Sequence, residues 1–79
     1  LAAADAPGAS VEDQLAGADA ALSQGDVNVA LGRGLEAVRS RTGEERETAR
    51  LRLLELFDII GSSTPEVTRA RRQLAALLF

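Results

Sequence analysis

One pair of carboxylates has a spacing that acid–base chemistry could use. Glu55 and Asp58 lie three residues apart in a stretch that predicts a helix, so their side chains share one side of it. Such a pair can act as general acid and base when an apolar environment raises the pKa of one member. Both residues fall on the more polar side of the predicted helix, and we therefore interpret them as part of a solvated face.

The residue types that most often carry catalysis or hold metals are missing. The chain has no His and no Cys, so its serines lack an imidazole base, and disulfides and thiolate metal sites are excluded. The segment "GRG" at residues 32–34 lies within a helical pattern and lacks the Lys-Ser/Thr of a phosphate-binding loop. We expect no enzyme activity, no cofactor and no metal site.

Charge and composition argue against nucleic acid and membrane partners. The net charge is −3, and the chain has no Tyr or Trp on which bases could stack. Residues 1–32 carry five acids and no base, whereas the nine arginines of residues 33–79 are interleaved with acids. No apolar run approaches the roughly 18 residues of a membrane span, and no secretory signal opens the chain.

The composition divides the chain into a linker and one small domain. Residues 1–9 are rich in Ala, contain Pro7 and Gly8 and show no apolar period, which predicts a linker. Residues 10–79 have the size at which a single core is only just sufficient. Because Leu1 is not a translation start, we expect the chain to be a fragment of a longer protein.

Apolar residues at helical spacing predict an all-α domain of four helices in two antiparallel hairpins. The helices are expected at about residues 10–24, 26–41, 44–60 and 64–79, separated by Gly25, by Thr42 and Gly43, and by Gly61. The predicted core stripes are Val11, Leu15, Ala18, Ala21 and Leu22; Val27, Ala30, Leu31, Gly34, Leu35, Ala37 and Val38; Ala49, Leu53, Leu56, Phe57 and Ile60; and Val67, Ala70, Leu74, Leu77 and Leu78. Gly34 lies within its stripe, which favours close approach of another helix over a ligand groove.

The first half resembles a tetratricopeptide unit. In "AGADAALSQGDVNVALGRGLEAV", residues 16–38, small residues recur where the two helices of such a unit cross, and Gly25 and Asp26 stand at the turn. The chain departs from the repeat pattern in lacking large aromatic residues in the first helix, in having Gly34 where a bulky residue is usual, and in placing Thr42 near a common Pro position.

The second half resembles the C-terminal end of bacterial thioredoxin-fused co-chaperones of the YbbN or CnoX type. The residues that carry the resemblance are "LLELF" at 53–57, then Gly61, then Thr64 and Pro65, then "RRQLAALLF" at 71–79. The segment "GDVNVALGRGLEAVRSRTGEER" resembles the preceding helix pair of actinobacterial members. The resemblance covers residues 11–79.

This resemblance implies a cytoplasmic protein with a thioredoxin-like domain upstream of Leu1. The implied activity is that of a holdase, which binds unfolding clients and passes them to the chaperonin or the Hsp70 system. The C-terminal helix region would dock on the chaperonin. Any redox function would belong to the upstream domain.

Four residues of the last helix form a row separate from its core stripe: Thr68, Arg72, Ala75 and Phe79. Two interpretations of Phe79 remain open, namely that it folds back to cap the core or that it belongs to a protein-docking surface. Two other functions also remain open: a homodimerisation module, or a regulatory helical appendage of an enzyme or transcription regulator.

Overall fold

The computed structural model describes residues 10–79, and the predicted linker at residues 1–9 lies outside that range. Four helices follow one another: α1 spans Val11–Ser23, α2 Val27–Ser40, α3 Gly43–Ile60 and α4 Pro65–Leu78. No strand occurs between residues 10 and 79, and the predicted all-α class is confirmed. Each helix bound agrees with the prediction to within two residues. None of these helices is long and apolar enough to cross a membrane.

Local capping chemistry explains where α1 begins and ends. The hydroxyl of Ser10 accepts a hydrogen bond from the Asp13 backbone N–H at 3.1 Å, and the Asp13 carboxylate accepts one from the Ser10 N–H at 3.5 Å. This reciprocal pair satisfies two of the free N–H groups at the helix start. Gly25 then adopts a φ of +79°, a left-handed conformation that suits glycine. Asp26 follows as the N-cap of α2, but its side chain makes no capping hydrogen bond.

Thr64 joins the end of α3 to the start of α4. Its hydroxyl accepts from the Val67 N–H at 3.3 Å and donates to the Gly61 carbonyl at 2.9 Å. Pro65 occupies the first turn of α4, where a missing N–H costs nothing and its fixed φ suits the helix. The connection is therefore held by side-chain hydrogen bonds at both of its ends.

Thr64→Ala is expected to lower the free energy of unfolding by about 1 kcal/mol, because it leaves an N–H of α4 without its cap. Urea unfolding followed by circular dichroism measures the change. Ser63→Ala is the matched control, since Ser63 is exposed and its hydroxyl bonds to no described residue. A Thr64→Ala midpoint equal to that of the control would contradict the capping role.

α2 is the central helix and packs against the other three. It lies close to α1 because both helices present small residues at their crossing, including Gly17, Ala18 and Ala30, which are buried. Gly34 lets α3 approach as well, since a Cβ built there would lie 2.7 Å from Cδ1 of Leu53. The prediction that Gly34 serves close helix approach is confirmed.

α3 and α4 are antiparallel but lie farther apart than α1 and α2. The fully buried side chain of Phe57 lies on α3, and the guanidinium of Arg71 on α4 lies over its ring, 5.0 Å from the ring centre. At the other end of the pair, Arg46 in the first turn of α3 donates a hydrogen bond to the Leu77 carbonyl in the last turn of α4. Larger core side chains therefore set a wider spacing in the second hairpin.

The core is apolar throughout the described residues, and most of its predicted members are buried there. Leu78 was expected in the core stripe, but 38% of its surface is exposed. That prediction was wrong because the packing of α4 leaves this side of its last turn partly uncovered. The Cα atoms span 34 × 31 × 14 Å, so the domain is thin and every helix keeps a solvent face.

Candidate protein-binding surfaces

The outer face of α4, defined as Thr68, Arg72, Ala75 and Phe79, is exposed at all four positions. Phe79 is fully exposed at 104%, so it does not fold back over the core. That interpretation was wrong because the Phe79 N–H donates to the Ala75 carbonyl at 3.1 Å, which continues the helical path of α4 and leaves the ring in solvent. The four residues therefore lie together on one accessible strip.

The outer face combines a free cation with a free aromatic ring. Arg72 makes no ion pair or hydrogen bond through its side chain with any residue between 10 and 79. Phe79 makes no contact that shields it from solvent, and the half-exposed Leu78 lies beside it. Arg and aromatic side chains are enriched at the centres of protein–protein interfaces, so this strip has the composition of a binding surface.

Two arginines next to the outer face fix its position without belonging to it. Arg71 lies over the Phe57 ring and holds the middle of α4 against α3. Arg46 binds the Leu77 carbonyl, one of the carbonyls that a helix end leaves without a partner, and places positive charge at the negative end of α4. The last turn, which carries Phe79, is thereby tied to the first turn of α3.

A second concave surface, the α2–α4 groove, lies between these two helices. It comprises two adjoining hollows of about 230 and 380 Å³, which share Gly32, Leu35 and Gln73. Its remaining lining residues are Asn28, Leu31, Glu36, Arg39, Glu66, Arg69, Ala70, Ala76 and Leu77. The same order of residues along both helices shows that α2 and α4 run parallel. None of the four residues of the outer face lines this groove.

The α2–α4 groove was not predicted from the sequence, although Gly32 was a signal for it. Gly32 weakens α2 as a helix, yet a Cβ built there would meet nothing within 4 Å, so the glycine leaves space open above the groove. On the groove rim Arg39 donates to Glu36 at 2.6 and 2.7 Å. This hydrogen bond raises the pKa of Arg39, and the charges of Arg39 and Glu36 neutralise each other in an ion pair.

A separate cluster of charged side chains joins α1 to α3 and contains Glu55, one of the two acids considered for catalysis. Arg52 donates to the Asp19 carboxylate at 2.6 Å and lies 3.5 Å from an oxygen of Glu55. Hydrogen bonding to Asp19 raises the pKa of Arg52. Glu55 and Asp58 are both exposed, in agreement with a solvated face. Within residues 10–79, no three His, Cys, Asp or Glu residues cluster in a way that could hold a metal ion.

Comparison with known proteins identifies the family. The tetratricopeptide repeat family model matches residues 1–79. Uncharacterised proteins of Mycobacterium bovis and of two strains of Mycobacterium tuberculosis are 38% identical to the chain over 76 residues, which cover 96% of this chain and 25% of theirs. The chain thus spans about a quarter of the length of these relatives, and no solved structure matches it significantly. Its helix pairs and the full-length family match agree, and the chain belongs to the tetratricopeptide repeat family.

Proposed function

We propose that this chain is a non-enzymatic protein-binding module whose partner docks on the outer face of α4. Tetratricopeptide-like domains generally mediate protein–protein interaction. The observation that carries the proposal is the full exposure of Phe79 beside the unpaired Arg72. An exposed aromatic ring and a cation on one rigid helix supply an apolar anchor and an orienting charge at small entropic cost.

The resemblance of residues 49–79 to the end of thioredoxin-fused co-chaperones supports a more specific role. In this role the parent protein carries a thioredoxin-like domain, acts in the cytoplasm and holds unfolding clients. The outer face of α4 then docks the parent on the chaperonin or on the Hsp70 system. The resemblance of the terminal "RRQLAALLF" is the strongest support, because it includes both Arg72 and Phe79.

The chain is expected to capture the chaperonin of its host, and Arg72→Ala/Phe79→Ala is expected to weaken capture at least about tenfold. Two interface residues that each contribute more than about 1 kcal/mol together account for that loss. Biolayer interferometry with purified chaperonin measures the affinity of each variant, and circular dichroism confirms that each remains helical. Both residues are exposed, so their removal leaves the core unchanged.

Arg69→Ala/Ile59→Ala is the matched control. It also removes one unpaired arginine and one exposed apolar side chain, but from positions outside the outer face. An equal loss of chaperonin affinity in both double variants would show that the effect depends only on overall charge and exposed apolar surface. It would contradict docking through the outer face. Absence of capture by the unmodified chain would refute the chaperonin role. Light scattering on the same samples tests homodimerisation.

A further inference from the structure

The second helix of each hairpin, α2 and α4, shares a pattern of inward-facing residues. This pattern relates the outer face of α4 to one side of α2. Four inward positions of α2 recur in α4 at a constant spacing of 40 residues, whereas the buried Leu31 and Val38 correspond to the exposed Arg71 and Leu78. All four recurring positions are buried or packed against the core: Val27 and Val67, Ala30 and Ala70, Gly34 and Leu74, Ala37 and Leu77. At these four positions α4 therefore faces the core as α2 does.

The same spacing relates the outer face of α4 to the side of α2 that α4 packs against. On α2, this side consists of groove-lining residues: Asn28, Leu31, Gly32, Leu35 and Arg39. Their counterparts on α4 are Thr68, Arg71, Arg72, Ala75 and Phe79. In the first hairpin this side receives a parallel helix, whereas no helix among residues 10–79 packs on it in α4. Repeat proteins stack in this way, with each unit covering its neighbour.

The chemistry of this side changes between the two helices. Leu31 and Gly32 of α2 are replaced by Arg71 and Arg72 in α4. With Arg69, α4 carries three arginines and one acid, and none of the three forms an ion pair with a described residue. Of these three, Arg72 lies on the outer face and Arg71 next to it, so the face carries positive charge at its middle and is apolar at its C-terminal end.

We propose that the outer face of α4 receives an amphipathic α-helix of another protein, with carboxylates facing Arg72 and apolar residues against Ala75, Leu78 and Phe79. This partner helix lies alongside α4 as α4 lies alongside α2. The inference rests on the proposed docking face and names its occupant. Charge complementarity selects an acidic helix over a basic one, because like charges opposite one another oppose association.

A synthetic helical peptide of about 20 residues tests the proposal, since shorter peptides form marginal helices in water. The peptide carries leucines at helical spacing on one side and glutamates flanking them. Three comparison peptides replace the glutamates by glutamines, replace them by lysines, or place two prolines in the centre. Fluorescence anisotropy is expected to show that the glutamate peptide binds about tenfold tighter than the glutamine peptide, and that added salt reduces this difference. The proline peptide is expected not to bind.

Charge reversal on the protein provides the site-specific test. Arg72→Glu is expected to abolish binding of the glutamate peptide and to allow binding of the lysine peptide, which also proves that the variant is folded. Arg69 lines the α2–α4 groove instead of the outer face. Arg69→Glu is therefore expected to change the affinity for the glutamate peptide by less than about twofold. Amide resonances of Thr68, Ala75 and Phe79 should shift when the glutamate peptide is added, whereas that of Gly32 should not.

The outcomes separate this inference from the proposed function. If the chaperonin is captured through Arg72 and Phe79 but the glutamate peptide does not bind at about 1 mM, docking stands and the acidic helix is refuted. If the peptide binds on the outer face without chaperonin capture, the helix-binding site stands and the chaperonin role is refuted. Equal binding of all four peptides, or resonance shifts confined to the groove, would also overturn the acidic helix. If neither chaperonin nor peptide binds, both the docking face and the acidic helix are refuted.

Discussion

Phe57→Ala is expected to remove a large part of the free energy of unfolding of the chain. Phe57 has no exposed surface and is the largest fully buried side chain of the described core. Truncating a buried Phe to Ala costs about 3–5 kcal/mol, and a chain of this size has a total free energy of unfolding of about 4–10 kcal/mol. The ring also separates α3 from α4, so its loss removes the surface against which Arg71 lies.

Phe79→Ala is the natural control, because the two phenylalanines are the only aromatic residues of the chain and differ completely in exposure. We expect Phe79→Ala to change the free energy of unfolding by less than about 0.5 kcal/mol. Urea unfolding followed by far-ultraviolet circular dichroism measures both variants. A Phe57→Ala variant that loses less than about 2 kcal/mol would contradict the arrangement of the core.

Gly34→Leu is the second substitution with a large expected effect, a loss of about 3 kcal/mol. A Cβ at this position already lies 2.7 Å from Cδ1 of Leu53 and 3.7 Å from Cδ1 of Leu56, both of which are fully buried. A leucine must therefore push α3 away from α2, and overpacking of this kind outweighs the gain of about 1 kcal/mol in helix propensity over glycine.

The same substitution two residues earlier should act in the opposite direction. A Cβ at Gly32 meets nothing within 4 Å, so Gly32→Leu should raise the free energy of unfolding by about 0.5–1 kcal/mol through helix propensity alone. Thermal and urea unfolding of the two variants gives the comparison. If Gly32→Leu and Gly34→Leu shift the free energy of unfolding in the same direction, this would contradict the role of Gly34 in the close approach of α3.

Helix bounds and hairpin connections could be predicted because their causes are local in sequence. Ser10 and Asp13 form their reciprocal hydrogen bonds across three residues, and Thr64 reaches only Gly61 and Val67. The helix ends therefore depend on capping residues that can be recognised without knowing the tertiary structure.

The errors at Leu78 and Phe79 have a tertiary cause. A helical wheel shows which residues share a side of α4, but not how far the neighbouring helix extends along it. The spacing between α3 and α4 depends on Phe57 and on the long side chains of Arg46 and Arg71, which act between residues far apart in sequence. The side chains of Leu78 and Phe79 consequently face solvent, whereas Leu77 still packs against the core.

The α2–α4 groove could not be predicted for a related reason. It is built by two parallel helices that are not adjacent in the chain, and its opening depends on an absent side chain at Gly32. In the sequence the same glycine indicated only a weaker helix. By contrast, the row of Thr68, Arg72, Ala75 and Phe79 lies within one helix, so its shared exposure could be inferred from periodicity.

The hydrogen bond from Arg46 to the Leu77 carbonyl joins the last turn of α4, which leads to Phe79, to the first turn of α3. A partner that displaces the last turn of α4 must break this bond and leave a guanidinium whose Nε is already buried without a hydrogen-bond acceptor in the described chain. Coupling between two binding events is reciprocal. If a ligand or modification at the start of α3 changes the affinity of a partner at Phe79, that partner changes the affinity of the ligand by the same factor.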